Sequence, residues 1–124
     1  KSQSSTALVA ASSHGRKEVL RELLSFRADL NGCDPHSGLQ PLAAAATGNH
    51  FAAVSALLAA RAAVNGCDAS GATALTWAAS SGCSRVLLLL LGAAADVQLA
   101  DEEGGTPLIW AAAGGHEAAV AALL

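Results

Sequence analysis

The stretch GATALTWAASSG at residues 71–82 decides how this chain is read, because it returns as GGTPLIWAAAGGH at residues 104–116. The interval from Thr73 to Thr106 recurs from Gln40, which opens QPLAAAATGNH, to Thr73. From Thr6, which opens TALVAASSHG, to Gln40 it is only slightly longer. A unit this short cannot bury its own apolar face, so a period in the low thirties implies copies stacked side by side around a continuous core. The expected units are 1–33, 34–67, 68–100 and 101–124, the first and last incomplete.

Within the third unit, Asp68-Ala69-Ser70-Gly71 has the chemistry of a tight turn. Thr73 follows as a helix N-cap, and Gly82 is placed to end that helix in the left-handed conformation. In the second helix Val86, Leu87, Leu90 and Leu91 form one apolar face. The fourth unit repeats the scheme with Asp101, Gly104, Thr106 and Pro107, proline being suited to the first helical turn. The second carries one extra turn residue in Asp34-Pro35-His36-Ser37-Gly38. The spacing predicts helix pairs over 6–14 and 16–25, 40–48 and 50–59, 73–81 and 83–92, and 106–114 and 116–124. The fold class is therefore all-α, a solenoid of stacked helix-turn-helix units joined by tight turns.

Apolar residues make up 52% of the chain and charged ones 14%, and a quarter of the chain is alanine. Alanine is the best helix former and buries little area, so the composition reads as closely packed helices with thin side-chain layers. Uninterrupted apolar runs such as Val86 to Leu91 fall far short of the about 20 residues a membrane span needs, so no direct membrane insertion is expected. The net charge of −3 argues against a nucleic-acid binder. Arg16, Lys17, Arg21 and Arg27 make the first unit basic, while Asp101, Glu102, Glu103 and Glu117 make the last acidic. Cys33 and Cys67 recur in the same Asn-Gly-Cys-Asp tetrapeptide. Equivalent positions in neighbouring units lie too far apart for a disulfide, and with Cys83 they read as reduced thiols. That points to an intracellular setting, cytoplasmic or nuclear. A zinc site from Cys33, His36 and Cys67 lacks the short ligand spacing such sites use, so neither a metal nor a cofactor is expected. No catalytic constellation is visible, and the chain is not expected to be an enzyme.

The order Asp-x-x-Gly-x-Thr-Pro-Leu, Ala-Ala-x-x-Gly-His, Val and Leu-Leu, then Gly-Ala and Asn, strongly resembles the ankyrin repeat. Asp101 to Leu124 matches almost throughout, and the resemblance covers residues 6–124. It implies a β-turn and two antiparallel helices per unit, the units joined by β-hairpin-like turns and stacked into an elongated, curved array. There are departures. The His usual after Pro-Leu is replaced by Val9, Ala43, Thr76 and Ile109, so weaker hydrogen bonding between units is expected. The Gly usual before Ala near a unit's end is Arg27, Arg61 or Ala94, where a left-handed backbone costs about 1 kcal/mol or more and adjusted helix ends are expected. Cys83 replaces the His that follows Gly82, removing a side-chain bond at the start of the second helix.

The resemblance also implies function. Such arrays bind protein partners through their hairpin tips and the exposed face of their first helices. The tips are His36, Ser37 and Leu39; Ala69, Ser70 and Ala72; Glu102, Glu103 and Gly105. The helix-face positions are Ser13, His14, Thr47, Ser80 and Ser81. Trp77 and Trp110 occupy equivalent places. Packing between units is the preferred reading for them over a pair of binding anchors, while Phe26 is the better candidate for an exposed aromatic. The expected role is a non-catalytic protein–protein interaction or scaffolding module whose partner is another protein or subunit. The alternative is the recognition domain of a larger enzyme or channel. Lys1 is not an initiator methionine, and the last helix is almost all Ala, Val and Leu. The array is therefore expected to continue past Leu124 or to be covered there by another subunit.

Overall fold

This computed structural model describes residues 2–26, 28–35 and 38–124, with side chains from Thr6 onward. Arg27, His36 and Ser37 lie outside the described residues. The helices run in the order α1 (Ser2–Ser13), α2 (Lys17–Ser25), α3 (Pro41–Thr47), α4 (Phe51–Ala59), α5 (Ala74–Ser81), α6 (Ser84–Gly92), α7 (Pro107–Ala113) and α8 (Glu117–Leu123). Among the described residues the only extended pairing is an isolated antiparallel bridge between Cys67 and Thr73. Seven helices follow the spacing read from the sequence to within a residue or two. The exception, α1, begins at Ser2 rather than near Thr6; Ser2 to Ser5 contain neither glycine nor proline to interrupt it.

Local chemistry sets the starts of the first helices in the later units. Thr73 caps α5 through a reciprocal box: its Oγ1 accepts from the Thr76 backbone N–H, and Thr76 Oγ1 accepts from the Thr73 N–H. Thr76 therefore takes up hydrogen bonding at the position where the usual His is missing. Thr106 caps α7 through the Ile109 N–H, and Pro107 fills the first helical turn, where no N–H partner is needed. Ile109 cannot reciprocate, and it stands 54% exposed.

The helices form two rows. α1, α3, α5 and α7 pack against one another in sequence, and α2, α4, α6 and α8 do the same behind them. The inner row is lined with alanine: Ala45, Ala46, Ala78, Ala79 and Ala111 have no exposed surface. Side chains that small let backbones approach closely. The larger buried groups, Leu8, Leu20, Val54, Leu57, Leu75, Val86, Leu87 and Leu90, fill the space between the rows.

Arg61 and Ala94 follow the ends of α4 and α6 with φ of 70° and 68°. The helix ends are not adjusted to avoid the left-handed conformation. Instead, two bonds hold each in place. The N–H groups of Arg61 and Ala62 donate to Leu58 O and Leu57 O, and those of Ala94 and Ala95 donate to Leu91 O and Leu90 O. This is the double bond pattern of a left-handed helix stop. It satisfies carbonyls that would otherwise have no partner in the helix.

The structure also corrects the reading of Cys83. His50 and His116 do not bond to their own helices. Their Nε2–H groups donate to carbonyls at the end of the preceding unit's inner helix, Ser13 O at 2.9 Å and Ser80 O at 3.0 Å. What Cys83 lacks is thus a bond between units. The reason is steric. The His50 ring lies over Gly15 and Gly48, and a β-carbon on either would come within 2.5 Å of it. The His116 ring lies in the same way over Gly82 and Gly114. At the equivalent places around Cys83 stand Asn49 and Ser81, both with β-carbons. The buried Cys83 fits where an imidazole does not, and burial pushes its thiol pKa up.

Two measurements check these points by urea unfolding. Ala94→Gly, which relieves the left-handed strain, is expected to raise stability by about 1 kcal/mol. Cys83→His is expected to cost about 1–3 kcal/mol as overpacking in the native background. In an Asn49→Gly, Ser81→Gly background the same change should become neutral or stabilising by about 1 kcal/mol, through a new bond to Thr47 O. Equal effects in both backgrounds would refute the steric coupling.

Candidate functional site

Each later turn is organised by its aspartate. The N–H groups of Asp34, Asp68 and Asp101 donate to the carbonyls of Leu39, Ala72 and Gly105, each at 2.9 Å, so each turn is closed at its aspartate, the second unit's across one more residue. Asp68 Oδ1 accepts from Ser70 N, Ser70 Oγ and Ala72 N at 2.6–3.1 Å, and its Oδ2 accepts from Trp77 Nε1 at 2.9 Å. Asp101 repeats this, with Oδ1 accepting from Glu103 N and Gly105 N and Oδ2 from Trp110 Nε1 at 2.8 Å. One carboxylate thus folds the turn and fixes an indole on the following helix. Neighbouring tips are joined directly, since the Glu102 N–H donates to Ser70 O at 2.9 Å.

These bonds shift the carboxyls. Burial acts to raise the Asp68 pKa, but the donors on Ser70, Trp77 and Ala72 together hold it below its ordinary value. At Asp101 the Gly105 N–H is the largest influence and lowers the pKa. Burial opposes it, the Trp110 and Glu103 donors reinforce it, and the charge of Asp68 acts weakly against it.

Between the third and fourth units these tips and the inner helices α5 and α7 enclose a cleft of about 230 Å³, lined by Trp77, Trp110, Thr76, Ser80, Asp101, Glu102 and Glu103 with Ser70 and Ala72. Of the positions expected from the sequence, Ser70, Ala72, Ser80, Glu102 and Glu103 meet here. Gly105 is buried close beneath the Trp110 indole and offers no contact of its own. Ala69 and Ser81 are exposed beside the cleft, while Leu39 is half-buried and packed against the core. Ser13, His14 and Thr47 lie at the ends of α1 and α3, away from the cleft, with their polar side-chain atoms bonded to backbone one turn earlier. His36 and Ser37 are outside the described residues.

Sequence reasoning did not assign Trp77, Trp110, Thr76 and Asp101 to the site. The signal was present as an Asp followed nine residues later by Trp, occurring at Asp68 and Trp77 and again at Asp101 and Trp110. Trp77 combines the expected packing role with a place in the cleft wall, while Trp110 is half-buried in the wall with its ring over Gly105. Phe26 is 79% exposed, as read from the sequence. On the outer row Arg85 sits over the Phe51 ring at 4.5 Å. Cys33, Cys67 and Cys83 are free thiols. Among the described residues no helix is long and apolar enough to cross a membrane, and no group of three or more His, Cys, Asp or Glu is placed to hold a metal ion.

A family model described as ankyrin repeats (3 copies) matches residues 8–101 and 61–124. No curated protein matches the chain.

The lowered aspartate pKa values have a pH consequence. As pH falls, the unfolded chain takes up protons at these carboxyls before the folded one does. Their contribution is complete above about pH 4 and is lost as pH drops through the lower folded values. Thermal unfolding followed by tryptophan fluorescence should show Tm falling below about pH 4. Asp68→Asn with Asp101→Asn should lower Tm at pH 7 and flatten that acid slope. An unchanged slope would place the acid-labile groups elsewhere.

Proposed function

Since this chain belongs to the ankyrin-repeat family, we propose that it is a non-catalytic interaction or scaffolding module that holds another protein across its hairpin tips and the exposed face of its inner helices. Ankyrin repeats are generally protein–protein interaction modules and are typically non-catalytic. The observation that carries the reading here is the cleft between the third and fourth units. Two indoles held in place by aspartates stand beside exposed, polar tips. Rigid aromatic side chains in a preformed recess supply contact area at low ordering cost, and tryptophan is enriched among the residues that dominate binding energy. The same role applies where the array is the recognition part of a larger enzyme or channel. The three free thiols favour a reducing, intracellular compartment, cytoplasm or nucleus.

The test is a comparison of faces. A partner captured with the intact chain is identified, purified and titrated against variants. Bulk added at a tip and at an inner-helix end, Ala69→Tyr with Thr47→Tyr, is expected to weaken binding by about tenfold or more with little change in Tm. Arg21→Ala with Glu22→Ala, on the exposed side of α2, should leave it unchanged. Equal or greater sensitivity at Arg21 and Glu22 would assign binding to the outer face.

A further inference from the structure

Resting on that interaction reading, we infer that the cleft between the third and fourth units receives an arginine side chain from an extended, basic segment of the partner. At about 230 Å³ it lies below the roughly 300–1,000 Å³ of drug-sized ligand pockets, which suits one long side chain better than a helix or a cofactor.

The chemistry of the wall selects the occupant. Its N–H donors are already engaged. Both indole N–H groups serve the turn aspartates, as do the N–H groups of Ser70, Ala72 and Glu103, and the Glu102 N–H serves Ser70 O. What remains for a ligand is aromatic surface, carboxylate oxygen and the Ser80 hydroxyl, which can accept a hydrogen bond as well as donate one. No lysine or arginine lines the cleft. From residue 62 onward the chain carries six Asp and Glu against one cation, Arg85, and Arg85 sits over Phe51 on the outer row. A cleft of ring surface and acceptors, with negative charge at its rim, repels anions and offers little to neutral donors that remain well solvated in water.

A cation that donates only, and that lies flat, matches each of these features. The guanidinium group stacks on aromatic faces and can fork onto a carboxylate, whereas the lysine ammonium is a compact, strongly hydrated point charge. Glu102 and Glu103 are exposed at the rim and are the carboxylates available for that fork, since Asp101 already accepts three N–H bonds. The aspartate-held indoles need no rearrangement to receive it.

The chain contains two tryptophans and no tyrosine, so both indole Nε1–H resonances report from this cleft alone. The experiment titrates the isotope-labelled chain, at low ionic strength, with acetyl-Gly-Arg-Gly-amide and with the same peptide carrying citrulline or lysine in place of arginine. The arginine peptide is expected to shift both indole signals saturably. Lysine should bind several-fold more weakly, and the neutral citrulline should give no saturable shift. Glu102→Gln with Glu103→Gln should weaken the arginine peptide about tenfold, while unchanged indole positions in the free variant report an intact fold. No saturable shift with arginine, an equal response to citrulline or lysine, or an unaltered affinity in the Gln variant would each overturn the assignment. The steric variants at Ala69 and Thr47 do not depend on the rim charges. Loss of partner binding there without an arginine response here removes the arginine and leaves the interaction reading standing. An arginine response here with no effect of the steric variants there counts against the interaction reading.

Discussion

The inner helices touch through alanine, and the rest of the molecule depends on that closeness. Ala45 and Ala46 of α3, Ala78 and Ala79 of α5, and Ala111 of α7 are fully buried where successive units meet. A methyl group contributes little apolar area, so the row gains from tight contact and not from bulk. Bulk lies behind it, where Leu57, Leu87 and Leu90 fill the space between the rows. Because the units are held this close, backbone groups of one unit lie within reach of side chains of the next. Asn31 Oδ1 accepts from Ala63 N and Asn65 Oδ1 from Asp96 N, each linking neighbouring units. The two histidine bonds to Ser13 O and Ser80 O depend on the same spacing.

That spacing also constrains which residues can vary together. The imidazole of a unit has to lie across two positions, one in its own turn and one in the preceding unit. Where both are glycine, as with Gly15 and Gly48 or Gly82 and Gly114, histidine is present. Where they are Asn49 and Ser81, cysteine takes its place. Three departures from the repeat pattern, scattered along the sequence, are one packing event in space. Thr76 offers a smaller example of the same logic. It replaces a residue that would bond across the hairpin, and it restores a bond locally by completing the cap with Thr73.

At the tips, a single type of group has two structural duties and leaves a third open. The Asp68 and Asp101 carboxylates close their turns and hold an indole each. Ordering both rings in advance removes part of the entropic cost of binding. Using the N–H donors of the wall internally leaves the cleft with carboxylate acceptors, ring surface and the Ser80 hydroxyl. The second unit has Asp34 but Ala44 where the later units carry Trp, so the paired-indole cleft belongs to the junction of the third and fourth units.

The sequence by itself determined the repeat, the helix pairs and most of their ends. Those features rest on local physics: the apolar period of a helix, the cap at Thr73 and Thr106, proline in a first turn, and glycine where the chain turns left-handed at Gly82. The exposed tip residues Ser70, Glu102 and Glu103 were legible for the same reason. Tertiary structure alone decided which side chains share a cleft. Trp77 and Trp110 stand a full repeat apart, and no local pattern says that both rings will be fixed by aspartates and border one recess. It likewise decided that His50 bonds a carbonyl in the preceding unit, and that Arg61 and Ala94 accept strain instead of shifting a helix end. The shared cleft and the histidine bond depend on the distance between units, which is set by packing and is not encoded within any one of them.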